Sequence, residues 1–169
     1  MDNNTHGRHL AAAVDLATDN VADGGGPFGA IIVAPDGRTF SGVNRVTATN
    51  DPTAHAEVTA IRAACAALGT FTLAGCVLYS SCEPCPMCLS SALWARVDAV
   101  YFAADRHDAA VAGFDDAVFY EFFDTPVAER PMPVARLSVD GAPAGADDPE
   151  SSALAPFRAW AALEGRTEY

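Results

Sequence analysis

Two short motifs constrain this chain more than anything else in it: His55-Ala56-Glu57 and Pro84-Cys85-Pro86-Met87-Cys88. Between them they supply one imidazole, two thiols and a spare carboxylate. Three ligands of these types hold a zinc ion and leave its fourth position open for water. His55 and Glu57 are expected at the start of one helix, Cys85 and Cys88 at the start of the next. Cysteines at i and i+3 share a helix face, so both sulfurs reach one ion. A helix N-terminus carries partial positive charge and free N–H groups, which favour thiolates. Glu57, two residues from the imidazole, is placed to collect a proton from a metal-acidified water.

Each residue also has a plainer reading. Cys85-x-x-Cys88 alone suits a redox pair at a helix start as well as it suits zinc. His55-x-Glu57 alone carries almost no signal. Cys82, Cys85 and Cys88 resemble the opening of an iron–sulfur run, but no fourth cysteine follows at the expected spacing. Cys82 as a fourth zinc ligand would close the site and make it structural. Cys65 and Cys76 read as small core residues. His6 and His9 lie in a polar N-terminal segment and are expected in solvent, and His107 at the surface. Taken together, His-x-Glu with Pro-Cys-x-x-Cys is the general signature of zinc deaminases acting on nucleobases. The chain reads as a hydrolytic deaminase with one zinc ion.

The bulk properties narrow this further. At 169 residues the chain suits one domain with a proper core. No apolar run approaches the ~20 residues needed to cross a bilayer. The segment Met1 to Arg8 is polar and lacks the apolar centre of a signal peptide, so a cytoplasmic location is expected. Five cysteines, three of them clustered, argue against a disulfide framework and for a metal site in a reducing compartment. The formal charge of -12 disfavours polyanions, so no nucleic acid is expected as a partner, and a small, nearly neutral substrate fits better. Solubility alone would also account for that charge.

Along the chain, Leu10, Val14, Ala17 and Val21 fall on one helical face, and Gly24-Gly25-Gly26 stops that helix. Gly29 to Val33 is a short apolar strand. Pro35-Asp36-Gly37 is a turn, and Arg38 to Val43 returns as the second strand of a hairpin. Asp51-Pro52-Thr53 leads into a helix whose buried face is Val58, Ile61, Cys65 and Leu68, ended by Gly69. Cys76 to Tyr79 is a strand, Pro86 opens the next helix, and Ala99 to Phe102 is the strand after it. A strand–helix–strand unit with a short crossover implies parallel pairing and helices on the sheet faces. The fold class is therefore α/β, a three-layer α-β-α domain with a mixed central sheet and the chemistry at helix N-termini. Asp115 to Phe123 reads as a short helix and Val134 to Val139 as a last strand. Gly141 to Ser152 reads as a loop, and Ala155 to Leu163 as a terminal helix carrying Phe157 and Trp160.

With these residues in view, the chain resembles the cytidine deaminase superfamily and, within it, the bacterial guanine deaminases. The resemblance spans nearly the whole chain. It rests on Gly26-Pro-Phe-Gly-Ala30, Asn50-Asp-Pro-Thr-Ala-His-Ala-Glu-Val58, Ser81-Cys-Glu-Pro-Cys-Pro-Met-Cys-Leu89, Asp108-Ala-Ala110, Gly113-Phe-Asp-Asp116, Pro156-Phe-Arg-Ala-Trp160 and Thr167-Glu-Tyr169. The Gly-Phe-Asp-Asp segment and the tail point to guanine over cytidine or tRNA adenosine. The resemblance implies that His55, Cys85 and Cys88 bind zinc and that Glu57 shuttles protons. It implies that Asn44 and Ala56 contact the base, that Phe28 stacks on it, and that Trp94 lines the pocket. Asp116 would contact the base and help the amino group leave. It implies a single deaminase domain over 1–169 and a homodimer that exchanges a segment of about 141–169, bringing Tyr169 to the partner's site.

Two stretches depart from the family pattern. After Cys88 the chain reads Leu89-Ser-Ser-Ala-Leu93, where Leu-Gly-Ala and an aromatic near position 93 are expected, and Gly141 to Ser152 is longer than expected. Some residues keep plain alternatives: Asn44 as a turn residue, Asp115 and Asp116 as helix caps, Tyr169 as a frayed terminus. Rival functions are deamination of cytosine, ammeline, cytidine or guanosine, and a non-catalytic zinc-stabilised binding module with four protein ligands. A tRNA-editing adenosine deaminase would need a basic RNA face that this chain lacks.

Overall fold

A computed structural model describes residues 3–139 and 151–168. The chain divides into two compact units, one ending at Tyr120 and the other beginning at Glu121.

The first unit is built on a four-stranded sheet of β1 (Gly29–Val33), β2 (Thr39–Val43), β3 (Val77–Cys82) and β4 (Ala99–Ala104). Their order is β2-β1-β3-β4. The β1–β2 hairpin is antiparallel about the Pro35-Asp36-Gly37 turn, with Gly29 opposite Val43 and Ala30 opposite Gly42. Strand β3 is antiparallel to β1 and parallel to β4, so the sheet is mixed. The parallel pair is joined by α4 (Pro86–Ala95), the crossover the strand–helix–strand pattern calls for.

Period-two alternation decides which side chains meet which layer. Ala30, Ile32 and Leu78 pack with Ala60, Ile61 and Ala64 of α3 (Ala56–Leu68) and with Ala92 and Ala95 of α4. Ile31, Val33 and Tyr79 face the other way, onto α1 (Asn3–Ala22). The three layers are therefore α1, the sheet, and α3 with α4. Helix α3 ends as expected, with Gly69 in the left-handed region at φ +67°.

The buried face of α1 is rotated from the expected one. Ala13, Ala17 and Asn20 are buried, whereas Val14 and Val21 are exposed. The cause is the approach of helix to strand: Gly29 lies so close that a Cβ there would overlap the Ala13 carbonyl oxygen and come within 2.7 Å of the Ala17 nitrogen. Only small residues fit that contact. His6 and His9 also depart from expectation, because they are half-buried. His6 Nδ1 lies 2.8 Å from the Tyr79 hydroxyl, its ring is 4.5 Å from that of Tyr101, and His9 lies 4.9 Å from Tyr79. His107 is exposed, as expected.

Two short helices are additions to the sequence reading: α2 (Val46–Thr49) and α5 (Arg106–Val111). Helix α6 (Ala117–Asp124) corresponds to the expected helix near 115–123. In the second unit, Arg130 Nε donates to the Thr125 carbonyl at 3.1 Å and its guanidinium covers Phe122 at 4.9 Å. The expected strand Val134 to Val139 does not form: only Leu137 has a strand-like bridge, in a segment that follows Pro131 and Pro133, which have no N–H for a ladder. Helix α7 (Ala155–Ala162) carries Phe157 and Trp160. Residues 141–150 of the expected loop, and Tyr169, lie outside the described residues. No helix among the described residues is long and apolar enough to cross a membrane.

Candidate active site

His55 and Cys85 occupy equivalent places. Each is the residue just before a helix, α3 or α4, with extended backbone, and neither caps its helix with a side-chain hydrogen bond. Ser, Thr, Asp or Asn would ordinarily stand there and contribute about 1 kcal/mol. Both positions instead aim a ligand-type group at a common point. Pro86 opens α4, where its missing N–H is harmless. Asp51 shapes the approach to α3, accepting from the Thr53 N–H at 2.8 Å and hydroxyl at 2.7 Å, and pairing with Arg62.

The ligand atoms of His55, Cys85 and Cys88 all lie within 4.8 Å of one another. His55 Nδ1 is 3.7 Å from Cys85 Sγ and 3.5 Å from Cys88 Sγ. Zinc bonds of ~2.3 Å to sulfur and ~2.05 Å to nitrogen, at a tetrahedral angle, set S and N about 3.6 Å apart. The trio therefore fits zinc. Cys82 is not part of it: its thiol donates to the Asp105 carbonyl at 3.5 Å, and burial pushes it up to about 11, so it stays protonated. Among the described residues three protein ligands, not four, converge.

The three groups are coupled through their mutual hydrogen bonds. Hydrogen bonding from Cys88, and then from His55, holds the Cys85 thiol down at about 4. Cys88, which serves as donor to Cys85 and is buried, is pushed up. The hydrogen bond to Cys85 also raises His55.

Glu57 sits in the first turn of α3, only 6% exposed. Its Oε2 lies 3.3 Å from Cys88 Sγ and its Oε1 3.4 Å from Ser80 Oγ. Burial raises its carboxyl above the usual range. It is beside the trio without belonging to it, placed to take up and release a proton there.

A cavity of about 280 Å³ opens over these groups, lined by His55, Glu57 and Cys85 together with Phe28, Asn44 and Asp116. Phe28 meets Phe114 edge-on at 5.0 Å. Asn44 Oδ1 accepts from the Val46 N–H at 3.3 Å, which leaves the amide NH2 as what it offers the cavity. The two aspartates of the Gly-Phe-Asp-Asp segment divide the alternatives between them. Asp115 Oδ1 accepts from the Ala117 N–H at 2.9 Å, at the start of α6. Asp116 is half-buried, and burial, with Cys85 second, raises its carboxyl.

Two expected pocket residues sit elsewhere. Trp94 is 69% exposed and lines a surface groove with Ser90, Leu93 and Arg96. The departures at Ser90 to Leu93 are thus outside the cavity wall. Ala56 is fully buried, with its side chain in the core, so only its backbone is left for a substrate. Sequence reasoning missed Glu83, Arg106 and Phe114, which also line the cavity. It also missed Asn20, whose amide donates to the Gly26 carbonyl at 2.8 Å and the Asn44 carbonyl at 3.0 Å. Asn20 was detectable as a polar residue on the helix spacing of Ala13 and Ala17.

Residues 3–104 match the family described as the cytidine and deoxycytidylate deaminase zinc-binding region. The chain belongs to that family. Within it, the chain is 47% identical to the guanine deaminase of Bacillus subtilis over 165 residues, covering 97% of this chain and 99% of that one. It is also 46% identical to the tRNA-specific adenosine deaminase of Agrobacterium fabrum, but over 46% of this chain and 51% of that one. Among solved structures, it is similar to the guanine deaminase from Bacillus subtilis, with a TM-score of 0.87, 46% identity, and coverage of 100% and 99%. A guanine deaminase from Nitrosomonas europaea aligns with a TM-score of 0.59 and 31% identity, covering 73% of this chain and 66% of that one. The zinc-compatible trio lies inside the matched family region.

Proposed function

We propose that this chain hydrolyses guanine to xanthine and ammonia. The observation that carries the reading is the placement of Glu57: buried, lining the cavity, next to three zinc-type ligands and not one of them. A closed structural site has no use for that carboxylate, and Cys82, the fourth ligand such a site would need, is engaged with Asp105. The full-length likeness to the Bacillus subtilis guanine deaminase supports guanine as the base.

Zinc bound by His55, Cys85 and Cys88, one ion per chain, would acidify a water and make it nucleophilic at neutral pH. The chain's own residues do the rest. Glu57 takes the proton of the attacking water, passes it to a ring nitrogen of guanine, and then helps protonate the departing amine. Phe28 stacks on the base and, with Phe114, keeps water from its face. The Asn44 amide donates to a base acceptor. Asp116 accepts from a base N–H and assists release of ammonia. We read the protein as a single cytoplasmic deaminase domain acting as a homodimer. Five free cysteines support the reducing compartment; exchange of the 141–169 segment, and any reach of Tyr169, remain part of that proposal.

The test is ammonia release by the zinc-loaded protein from guanine, guanosine, cytosine, cytidine, adenine, adenosine and ammeline. Guanine turned over well above the rest is the expected result. Preference for another base would keep the Glu57 chemistry and refute guanine as substrate. No turnover of any base would favour the binding module.

A further inference from the structure

The cavity wall contains one arginine, and the mechanism above does not use it. Arg106 stands at the start of α5, and its anchorage is unusually complete. Its backbone N–H donates to Glu83 Oε2 at 3.1 Å. On either side of it, Asp105 accepts from the His107 and Asp108 N–H groups at 2.8 and 2.9 Å, and Asp108 Oδ2 accepts from the Asp105 N–H at 3.0 Å. This reciprocal capping box fixes the base of the side chain. The other end lies over the ring of Tyr120, with Cζ 4.5 Å from the ring centroid. Both ends of the Arg106 side chain are therefore held, and it is half-buried.

Among the described residues no carboxylate forms an ion pair with Arg106. With Cζ over that ring, the guanidinium still has N–H groups to present to the cavity it lines. The remaining cavity polar groups sharpen what that is. Glu57 is committed to proton transfer; Glu83, Asp115 and Asp116 are carboxylates, which accept when ionised. They suit the N–H groups of a base and repel its oxygen. Asn44 offers the two N–H donors of a single nitrogen, which diverge and do not span two adjacent acceptors in parallel. A purine with a C6 carbonyl presents two adjacent acceptors, O6 and N7, and a planar fork of N–H groups is the group that pairs with both at once.

We propose that Arg106 is a specificity-determining residue that binds the O6/N7 edge of the base and selects oxopurines over purines with an amino group at C6. The inference rests on the guanine reading above. It can also fail independently of it.

The experiment measures kcat/KM of the zinc-loaded enzyme for guanine, for 7-deazaguanine, which lacks N7, and for 2,6-diaminopurine, which has a donor at C6. It compares the unsubstituted chain with Arg106→Ala and Arg106→Lys. Zinc content, melting and calorimetric titration with 8-azaguanine accompany the kinetics. Arg106→Ala is expected to lower kcat/KM for guanine by about 10- to 100-fold and to weaken 8-azaguanine to a similar extent. The loss on 7-deazaguanine should be smaller, and on 2,6-diaminopurine at most slight, so that discrimination collapses. Arg106→Lys keeps the charge without the fork and should fall with the alanine variant. Equal losses on all three bases would mean a merely structural role and overturn the proposal, as would full rescue by lysine or an unchanged kcat/KM for guanine. If the unsubstituted enzyme does not turn over guanine, the guanine reading fails and this inference with it.

Discussion

Gly42 offers the sharpest test of how the sheet positions the chemistry. It sits on β2 opposite Ala30, beneath the first turns of α3. A Cβ at Gly42 would overlap the Ala56 carbonyl oxygen and the Ala60 nitrogen and lie 2.9 Å from the Ala60 Cα. All three are backbone atoms, so no rotamer change relieves the clash. Carbon atoms rest at ~3.5–4.0 Å, so the start of α3 must retreat by about 1 Å. Overpacking of this kind costs about 2–3 kcal/mol, which for a chain of this size lowers Tm by about 4–12 °C. That same turn carries His55 and Glu57, and a displacement of about 1 Å at a catalytic group costs about 100-fold in rate. Gly42→Ala should therefore lose both stability and kcat, with weakened zinc retention. The control is Gly29→Ala, whose Cβ would collide with α1 instead. It should lower Tm to a similar extent while keeping zinc and most of kcat. Melting curves, zinc content and kcat at 25 °C on both variants decide the matter. Gly42→Ala with unchanged Tm and kcat would refute the claim that this contact sets the site.

Glu57→Gln should keep its zinc and lose at least ~100-fold in kcat. In metal-free protein the same substitution tests burial. The Glu57 carboxyl is raised in the folded state above its unfolded value of 4.5, so stability present below that pH is lost as pH rises through the folded value. Metal-free Glu57→Gln should gain in Tm over the unsubstituted protein at pH 8, with the gap closing toward pH 4. Cys85→Ala should purify with little zinc, and its melting should no longer respond to a chelator, whereas the unsubstituted protein melts lower once its metal is removed; full zinc occupancy in Cys85→Ala would contradict the ligand set. Asp115→Ala should cost about 1 kcal/mol through the lost cap with little change in kcat. Asp116→Asn should do the reverse, keeping Tm and lowering kcat/KM for guanine about 100-fold.

The residues of the metal trio were legible because the ligands are encoded in two windows of three and five residues, each at a helix start. The hairpin and the β3–α4–β4 crossover were legible because alternation, the Pro35-Asp36-Gly37 turn and Pro86 all agree with the structure. The face of α1 was not, since hydrophobicity favoured Val14 and Val21 while closeness to Gly29 admits only Ala13 and Ala17. Val134 to Val139 has strand-like composition, yet only Leu137 of it forms a strand-like bridge. Helix α5 is too short to show a period, although Asp105-x-x-Asp108 is a capping signal that could have revealed it. Glu83 and Phe114 lie inside segments that carry the family resemblance without being singled out there, whereas Arg106 joins the cavity through tertiary structure and no local pattern marks it.

The cavity has two sources along the chain. His55, Glu57, Cys85 and Cys88 come from the helix starts on one layer of the sheet, and their spacing is locked by packing against strands that run through the centre of the unit. Arg106, Phe114 and Asp116 come from the later stretch after β4, which is not woven into that sheet. Changes in the later stretch can therefore alter one side of what holds the base, while Phe28, Asn44 and the Glu57 proton transfer stay with the sheet.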